Sequence, residues 1–288
     1  MRSAVEGLLA GSGTPGAGVA VLIDGKLAFA GSVGAADLAG DVALLEDARF
    51  YVYSVTKTLL AALTLQSVER GDVDLDRAIQ EYLPGYPLAT SVTLRQVLNH
   101  TAGLPDYGGM PEYVTAVRAH PKSAWSPQVF LDQTVANGLL FPPGEGWVYS
   151  NIGYLTIRLL LERVSGLSFR TLVDRQIVEP LGLVATTVAE TLDDTAALTP
   201  GYSGWIDPHG PVTDISRRYH PGWVSHGVVI STASDLARII DAIFAGRLAP
   251  SSLLPEMLTP VQVPMQHPLF VEPSYGLGVM LDPGSRHG

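Results

Sequence analysis

Apolar residues recur at helical spacing in three well-delimited segments of the chain. In the first, Thr93 precedes Gln96 by three residues, which is the order of a capping box. A second segment spans 151–166 and a third begins at Thr232, and both end at a glycine, a common residue just beyond a helix. These patterns predict three helices, each with a defined start or end.

Strand-like patterns are confined to the two ends of the chain. Residues 16–34 read GAGVAVLIDGKLAFAGSVG, in which alternating apolar residues flank Asp24-Gly25, a favoured two-residue hairpin turn. Near the C-terminus, residues 274–281 read SYGLGVML. We therefore predict an α+β fold in which an antiparallel sheet, formed by the N- and C-terminal strands, carries a large inserted helical region. The predicted single domain covers 1–288, with the sheet part at 15–50 and 270–288 and the helical part at 51–269.

A fourth helical stretch, residues 51–71, begins with a serine and a lysine three positions apart. Ser54 and Lys57 share one face of a helix at this spacing, so the lysine amine can reach the serine Oγ. A serine hydroxyl becomes a good nucleophile only when a base takes its proton, and a lysine is a base only when its pKa falls. A helix N-terminus favours that fall because its dipole opposes positive charge. The alternative is a helix-capping serine beside a solvated lysine.

The lysine content of the chain favours a chemical role for Lys57. The chain has only three lysines, Lys26, Lys57 and Lys122, against fifteen arginines. Because arginine stays protonated, a chain that uses arginine for ordinary surface charge retains lysine where a deprotonatable amine is required. This bias favours the nucleophile–base interpretation over the capping interpretation.

A second group of polar residues lies in the stretch FPPGEGWVYSNIGY, residues 141–154. Tyr149 and Asn151 follow a proline–glycine turn and open a predicted helix. The phenol of Tyr149 can donate and accept protons, and Asn151 can hydrogen-bond a substrate carbonyl and a lysine together. The alternative is a core tyrosine next to an asparagine that caps the helix.

Composition excludes several classes of function. The net charge is −10 and the pI is about 5.1, which argues against nucleic acid and an anionic membrane surface as partners. The absence of cysteine excludes disulfides, thiolate chemistry and cysteine-bound zinc, and no apolar run is long enough to span a membrane. The motif GSGTPG at 11–16 precedes a predicted strand instead of opening a helix, so it predicts a loop and not a nucleotide site.

Together the serine–lysine and tyrosine–asparagine groups resemble a known family. The stretch SVTK from Ser54 to Lys57 matches S-x-x-K, and the triplet YSN from Tyr149 to Asn151 matches Y-x-N, two motifs of the penicillin-recognising serine hydrolases. Class C β-lactamases, DD-carboxypeptidases and related esterases are the members that the chain resembles most. Further stretches of the same type are LRQVLNHTAGLPDY, PPGEGWVYSN, EPLGL, GVVISTASDLARI and YGLGV, and the resemblance extends over residues 15–281.

The resemblance implies a β-lactamase/transpeptidase-like fold and gives each candidate residue a role. Ser54 attacks an acyl carbonyl to form an acyl-enzyme, and Lys57 is the base. Tyr149 relays the proton to the leaving group and helps to activate the deacylating water, while Asn151 positions substrate and lysine. The resemblance implies a small-molecule or peptide substrate as the partner, and it implies no metal or organic cofactor. The substrate class stays open among esters, amides, D-Ala-D-Ala-type peptides and β-lactams, and the alternative function is a non-hydrolytic penicillin-binding or sensor module.

The third motif of this family, H-x-G or K-T-G on a strand of the active site, has no clear counterpart in the chain. His287-Gly288 follows the YGLG stretch more closely than that motif is expected to. We therefore expect a truncated chain, in which the motif, one oxyanion-hole donor and a closing helix lie in a C-terminal segment or fragment beyond residue 288. A native N-terminus would place the protein in the cytoplasm, whereas a removed leader would make it secreted or periplasmic.

Overall fold

The computed structural model describes residues 1–88, 90–136, 138–266 and 268–285. Three strands follow the first helix, a long run of helices occupies the middle of the chain, and short strands and two helices follow. His287-Gly288 lies outside the described residues. The helices are α1 (Arg2–Leu9), α2 (Thr56–Glu69), α3 (Ile79–Tyr82), α4 (Leu94–Leu98), α5 (Pro111–Ala119), α6 (Pro127–Val135), α7 (Asn151–Ser165), α8 (Phe169–Val173), α9 (Glu179–Leu181), α10 (Ala233–Phe244) and α11 (Leu254–Met257). The strands are β1 (Gly16–Ile23), β2 (Lys26–Gly34), β3 (Phe50–Tyr51), β4 (Thr187–Ala189), β5 (Tyr202–Ser203), β6 (Thr213–Asp214), β7 (Val228–Ser231), β8 (Val261–Gln262), β9 (Ser274–Tyr275) and β10 (Met280–Leu281).

The three helices predicted from capping and spacing are α4, α7 and α10. Thr93 and Gln96 form both hydrogen bonds of the capping box at the start of α4. Helix α7 ends one residue before Gly166, whose φ of 70° is the left-handed conformation of a C-terminal cap. The Thr232 side chain accepts a hydrogen bond from the N–H of Asp235 and so caps α10.

The predicted N-terminal hairpin is formed by β1 and β2. Asp24 and Gly25 have φ values of 50° and 72°, the positive pair that a type I′ turn requires. The hairpin packs against α10, which contacts both of its strands. The α+β fold class is therefore confirmed, with antiparallel strand pairs and a large helical part.

The arrangement of the strands differs from the single predicted sheet. Among the described residues, the N-terminal hairpin is one sheet, and β8, β9 and β10 form a separate small sheet. The SYGLGVML stretch supplies two strands joined by a turn, in which Gly276 N–H donates to the Val279 carbonyl. Hydrogen bonds from Leu277 N–H to the Met257 carbonyl and from Thr58 Oγ1 to the Gly278 carbonyl hold this turn against α11 and α2. The C-terminal strands thus lie on these helices and not beside the hairpin.

Another antiparallel sheet, in the order β3–β7–β4, begins at the boundary of the region predicted as helical and otherwise lies inside it. All four residues of β7 are buried. Val52 N–H donates to the Val229 carbonyl at 2.9 Å, and Val229 N–H donates to Thr56 Oγ1 at 3.2 Å. These two bonds hold the start of α2 next to β7. Helix α2 is buried on nearly its whole surface and packs against α7, so the two helices that carry the candidate residues meet in the core.

Candidate active site

Ser54 lies in a 3₁₀ turn, Tyr53–Val55, between β3 and α2. The side chain of Ser54 is exposed and caps neither this turn nor the helix, so the capping interpretation is wrong. The preceding residue, Tyr53, has a φ of 38°, a left-handed conformation that costs a non-glycine residue about 1 kcal/mol. Backbone strain of this kind is concentrated at functional sites.

Lys57 is buried in the first turn of α2, with only 1% of its surface exposed. Its Nζ lies 3.4 Å from Ser54 Oγ, 2.8 Å from Asn151 Oδ1 and 3.3 Å from His226 Nε2. A solvated surface lysine is therefore excluded. The amine has one polar neighbour for each of the three hydrogens that its charged form carries.

Tyr149 contacts the same serine from the other side. Its hydroxyl donates a hydrogen bond of 2.7 Å to Ser54 Oγ, although the two residues are 95 positions apart in the chain. The ring is half-buried and packs on His100, with 4.6 Å between the ring centroids. The fold thus brings both sequence motifs together at the Ser54 hydroxyl.

Asn151 is held in place by Asp106, a residue that the sequence analysis did not select. Asp106 accepts hydrogen bonds from the Asn151 N–H at 2.7 Å and from Asn151 Nδ2 at 3.3 Å. The amide group is thereby oriented with Oδ1 toward Lys57. Ser150, and not Asn151, caps α7, because Ser150 Oγ accepts from the Gly153 N–H at 3.1 Å.

Burial shifts the pKa values of Lys57 and Tyr149 in opposite directions. Burial lowers the pKa of Lys57 from 10.5 to about 7, against an opposing effect of the Asp106 carboxylate. Burial raises the pKa of Tyr149, an effect that its hydrogen bond to Ser54 partly offsets and the Asp106 charge reinforces. Near neutral pH, Lys57 can therefore release and accept a proton, whereas Tyr149 stays a protonated donor.

Two buried histidines border the site, and neither was predicted. His100 accepts a hydrogen bond at Nδ1 from the Ser150 N–H at 3.2 Å. His226 points its Nε2 at Lys57. The chain's histidines show no metal-binding spacing, so sequence pattern alone gave no reason to select either. His226 lies in a turn, two residues before β7, where no periodic pattern could indicate its contact with Lys57.

Candidate metal clusters and candidate membrane-spanning helices are both absent from the part of the chain that the structure describes. Histidine, aspartate and glutamate side chains there form no group of three that could hold a metal ion. None of the helices described combines the length and apolar character that a bilayer crossing requires.

The fold and the site place the chain in a known family. The chain belongs to the Beta-lactamase family, whose model matches residues 1–287. The resemblance seen in the sequence motifs is thus confirmed over the whole fold. Proteins of one fold can have different activities, so membership of the family does not define the substrate.

Three relatives illustrate what the chain is similar to. A solved D-stereospecific amidohydrolase from Streptomyces is 32% identical, with a TM-score of 0.81 over 98% of this chain and 82% of that one. A penicillin-binding protein of Bacillus subtilis is 27% identical over 275 residues, 92% of this chain and 59% of the relative. A D-aminopeptidase of Brucella anthropi is 31% identical over 195 residues, 66% of this chain and 36% of the relative. The chain therefore spans only part of the length of the two curated relatives.

Proposed function

We propose that the protein is a serine hydrolase that forms an acyl-enzyme on Ser54 and prefers amides, peptides or esters whose acyl group derives from a D-amino acid. One observation carries the proposal of covalent catalysis. Ser54 Oγ lies 2.7 Å from a protonated phenol and 3.4 Å from a buried lysine amine. A hydroxyl with a base and an acid in reach is the arrangement of an activated nucleophile.

The geometry supports a two-step reaction. The neutral amine of Lys57 takes the proton of Ser54 as the serine oxygen attacks the substrate carbonyl carbon. The tetrahedral intermediate collapses when the bond to the leaving group breaks, and the proton passes from the Lys57 ammonium through the Tyr149 hydroxyl to the leaving nitrogen or oxygen. Water then attacks the ester carbonyl carbon of the acyl-enzyme while its proton passes through the Tyr149 hydroxyl to the neutral Lys57 amine. The bond from that carbon to Ser54 Oγ breaks, and Lys57 returns the proton to Ser54.

Lys57 is a better candidate for the base than Tyr149. A phenol with a raised pKa is rarely ionised at neutral pH, whereas an amine with a pKa of about 7 is half deprotonated there. The Tyr149 hydroxyl also donates to Ser54 Oγ, which leaves the serine hydrogen free to point toward Lys57. As one oxyanion donor we propose the Ser54 N–H, because the first N–H groups of a helical turn have no partner within it.

The preference for D-configured acyl groups is supported by two relatives. The Streptomyces structure, similar over nearly the whole chain, is a D-stereospecific amidohydrolase, and the Brucella relative is a D-aminopeptidase. A non-hydrolytic penicillin-binding module is the competing function, since a penicillin-binding protein is also a relative.

The experiment that tests this function compares mirror-image substrates. We expect kcat/KM for D-phenylalanine p-nitroanilide and the matching D-ester to exceed that for the L-isomers by about tenfold or more, the usual range for one pocket contact. Equal or faster turnover of the L-isomers would overturn the D-preference but would still support a serine hydrolase. Absence of turnover together with a long-lived β-lactam adduct on Ser54, found by peptide mass spectrometry, would instead support the penicillin-binding module.

Tyr149→Phe separates proton relay from core packing. The change keeps the ring on His100 and removes only the hydroxyl, so we expect kcat to fall by about 10²-fold or more, the usual scale of general acid–base catalysis. The thermal midpoint should change little, because a half-buried phenol loses one hydrogen bond. Tyr82→Phe, which removes a half-buried hydroxyl on α3 that accepts one hydrogen bond from the Asp74 N–H, serves as the control. Normal kcat with a lowered thermal midpoint would show that Tyr149 only packs.

A further inference from the structure

We propose that His226 is a positioning residue for Lys57: its neutral ring accepts a hydrogen from the amine through Nε2, so that the amine's lone pair points at Ser54. The catalytic consequence rests on the function proposed above, whereas the hydrogen bond itself can be tested without a substrate. The geometry is the starting point, because Nζ lies 3.3 Å from His226 Nε2 and 3.4 Å from Ser54 Oγ.

A neutral lysine amine has two hydrogens and one lone pair, and it rotates freely unless both hydrogens are held. Asn151 Oδ1, at 2.8 Å, accepts the first hydrogen. Asn151 alone would leave the lone pair free to point toward Ser54 or away from it. With His226 Nε2 as the second acceptor, the Ser54 hydroxyl is the polar neighbour that remains for the lone pair among the described residues.

The surroundings of His226 keep its ring neutral. Only 2% of its surface is exposed. Burial, followed by the nearby charges of Lys57 and Arg158, lowers the pKa of His226 well below its usual value. A neutral ring has one bare nitrogen, and the bond proposed here requires that nitrogen to be Nε2, with the hydrogen on Nδ1.

The contacts of the ring direct its one polar interaction to the lysine. Among the described residues, His226 Nδ1 has no hydrogen-bond partner, so the ring is not fixed by the backbone around it. Tyr154 packs edge-on against it at 6.5 Å between centroids. His100 provides the contrast, because its Nδ1 accepts from the Ser150 N–H and serves the turn before α7. A buried polar group whose single partner is the candidate base needs an explanation of this kind.

The charge state of Lys57 depends on groups from several elements. The titratable and charged groups around Lys57 and His226 are Asp106, His100, Tyr149, Tyr154 and Arg158. The acceptor at His226 stabilises the ammonium more than the amine, because hydrogen bonds to a charged donor are stronger. Loss of this acceptor therefore lowers the pKa of Lys57 further and also releases the orientation of the amine.

The low lysine content makes a direct measurement possible. With ¹³Cε-labelled lysine, the spectrum contains three lysine signals, and Lys26→Arg and Lys122→Arg assign the remaining one to Lys57. The pKa of Lys57 is then followed by NMR titration in the parent chain, in His226→Met and in His226→Gln. The two side chains are matched in length, but only the glutamine amide places an acceptor near the position of Nε2.

We expect His226→Met to lower the pKa of Lys57 by about one pH unit, which corresponds to the loss of one charge-assisted hydrogen bond. His226→Gln should return it close to the parent value. The plateau of kcat/KM at high pH should fall about tenfold in the methionine variant and recover in the glutamine variant. Thermal midpoints of both variants separate these effects from packing, since the two residues fill similar volumes.

Two results would overturn the proposal. An unchanged pKa of Lys57 in a folded His226→Met protein would show that the ring only packs, and an increased pKa would show that Nε2 carries the hydrogen and donates to the lysine. His226→Leu gives the same comparison if the methionine variant does not fold. A chain that hydrolyses nothing would overturn the proposed function alone, because the NMR titration still reports on the bond between His226 and Lys57.

Discussion

Replacing Ser54 with alanine is expected to reduce kcat/KM for the preferred substrate by about 10⁴-fold or more, the scale of losing the nucleophile of a covalent mechanism. The Ser54 hydroxyl is the point where the hydrogen bond from Tyr149 and the contact with Lys57 meet. Without this oxygen no acyl-enzyme can form, whatever the remaining groups do. The loss should appear for esters and amides alike.

The Ser54→Ala variant should remain folded, because the side chain is exposed and caps no helix. Circular dichroism and the thermal midpoint check this point. A fluorophosphonate should label the parent chain on the peptide that contains Ser54 and fail to label the variant. Ser252→Ala, at an exposed position in the turn before α11, is the matched control and should keep full activity and labelling. Near-normal turnover in Ser54→Ala would mean that another group is the nucleophile.

The four candidate residues could be predicted from the sequence because each belongs to a local pattern. Ser54 and Lys57 follow from helical spacing within one turn, and Tyr149 and Asn151 from their place at the start of α7. Their meeting could not be derived from spacing, since it depends on how α2 and α7 pack. That packing follows from the apolar surfaces of the two helices, whose burial the structure shows.

The groups that orient or contact these four residues belong to no such local pattern. Asp106 orients Asn151 across 45 positions of the chain, and His226 reaches Lys57 across 169. Both lie in loops, where neither period nor capping signals a contact. The SYGLGVML stretch indicated β9 and β10, but their place in a separate sheet with β8 escaped prediction. A two-residue strand such as β8 is too short to show alternation, and the bonds that hold the turn between β9 and β10 come from α2 and α11.

Replacing Lys57 with arginine is expected to be almost as damaging as removing the side chain, with a loss of about 10³-fold in kcat/KM. A guanidinium keeps its charge at every accessible pH, so it can hydrogen-bond Asn151 and Ser54 but cannot accept the serine proton. An interpretation in which Lys57 only supplies positive charge predicts the reverse, namely substantial activity in the arginine variant. Lys122→Arg, the same change outside the site, controls for the exchange itself.

The pH dependence makes the test of Lys57 independent of any single rate. In the parent chain, kcat/KM should fall about tenfold per pH unit below a pKa of about 7 and level off above it, because only the neutral amine is a base. This fall in kcat/KM at low pH should be absent from both Lys57→Arg and Lys57→Met.

The stability of the parent chain should also depend on pH. The pKa of Lys57 in the folded chain lies below the ordinary value of 10.5, so between about 7 and 10.5 the unfolded chain binds one more proton than the folded chain. The free energy of unfolding of the parent chain should therefore rise with pH over this range. Lys57→Met, which buries no charge, should lose that rise while remaining folded and inactive. If kcat/KM of Lys57→Met still fell at low pH, that pH dependence would belong to another group, and Lys57 would not be the base.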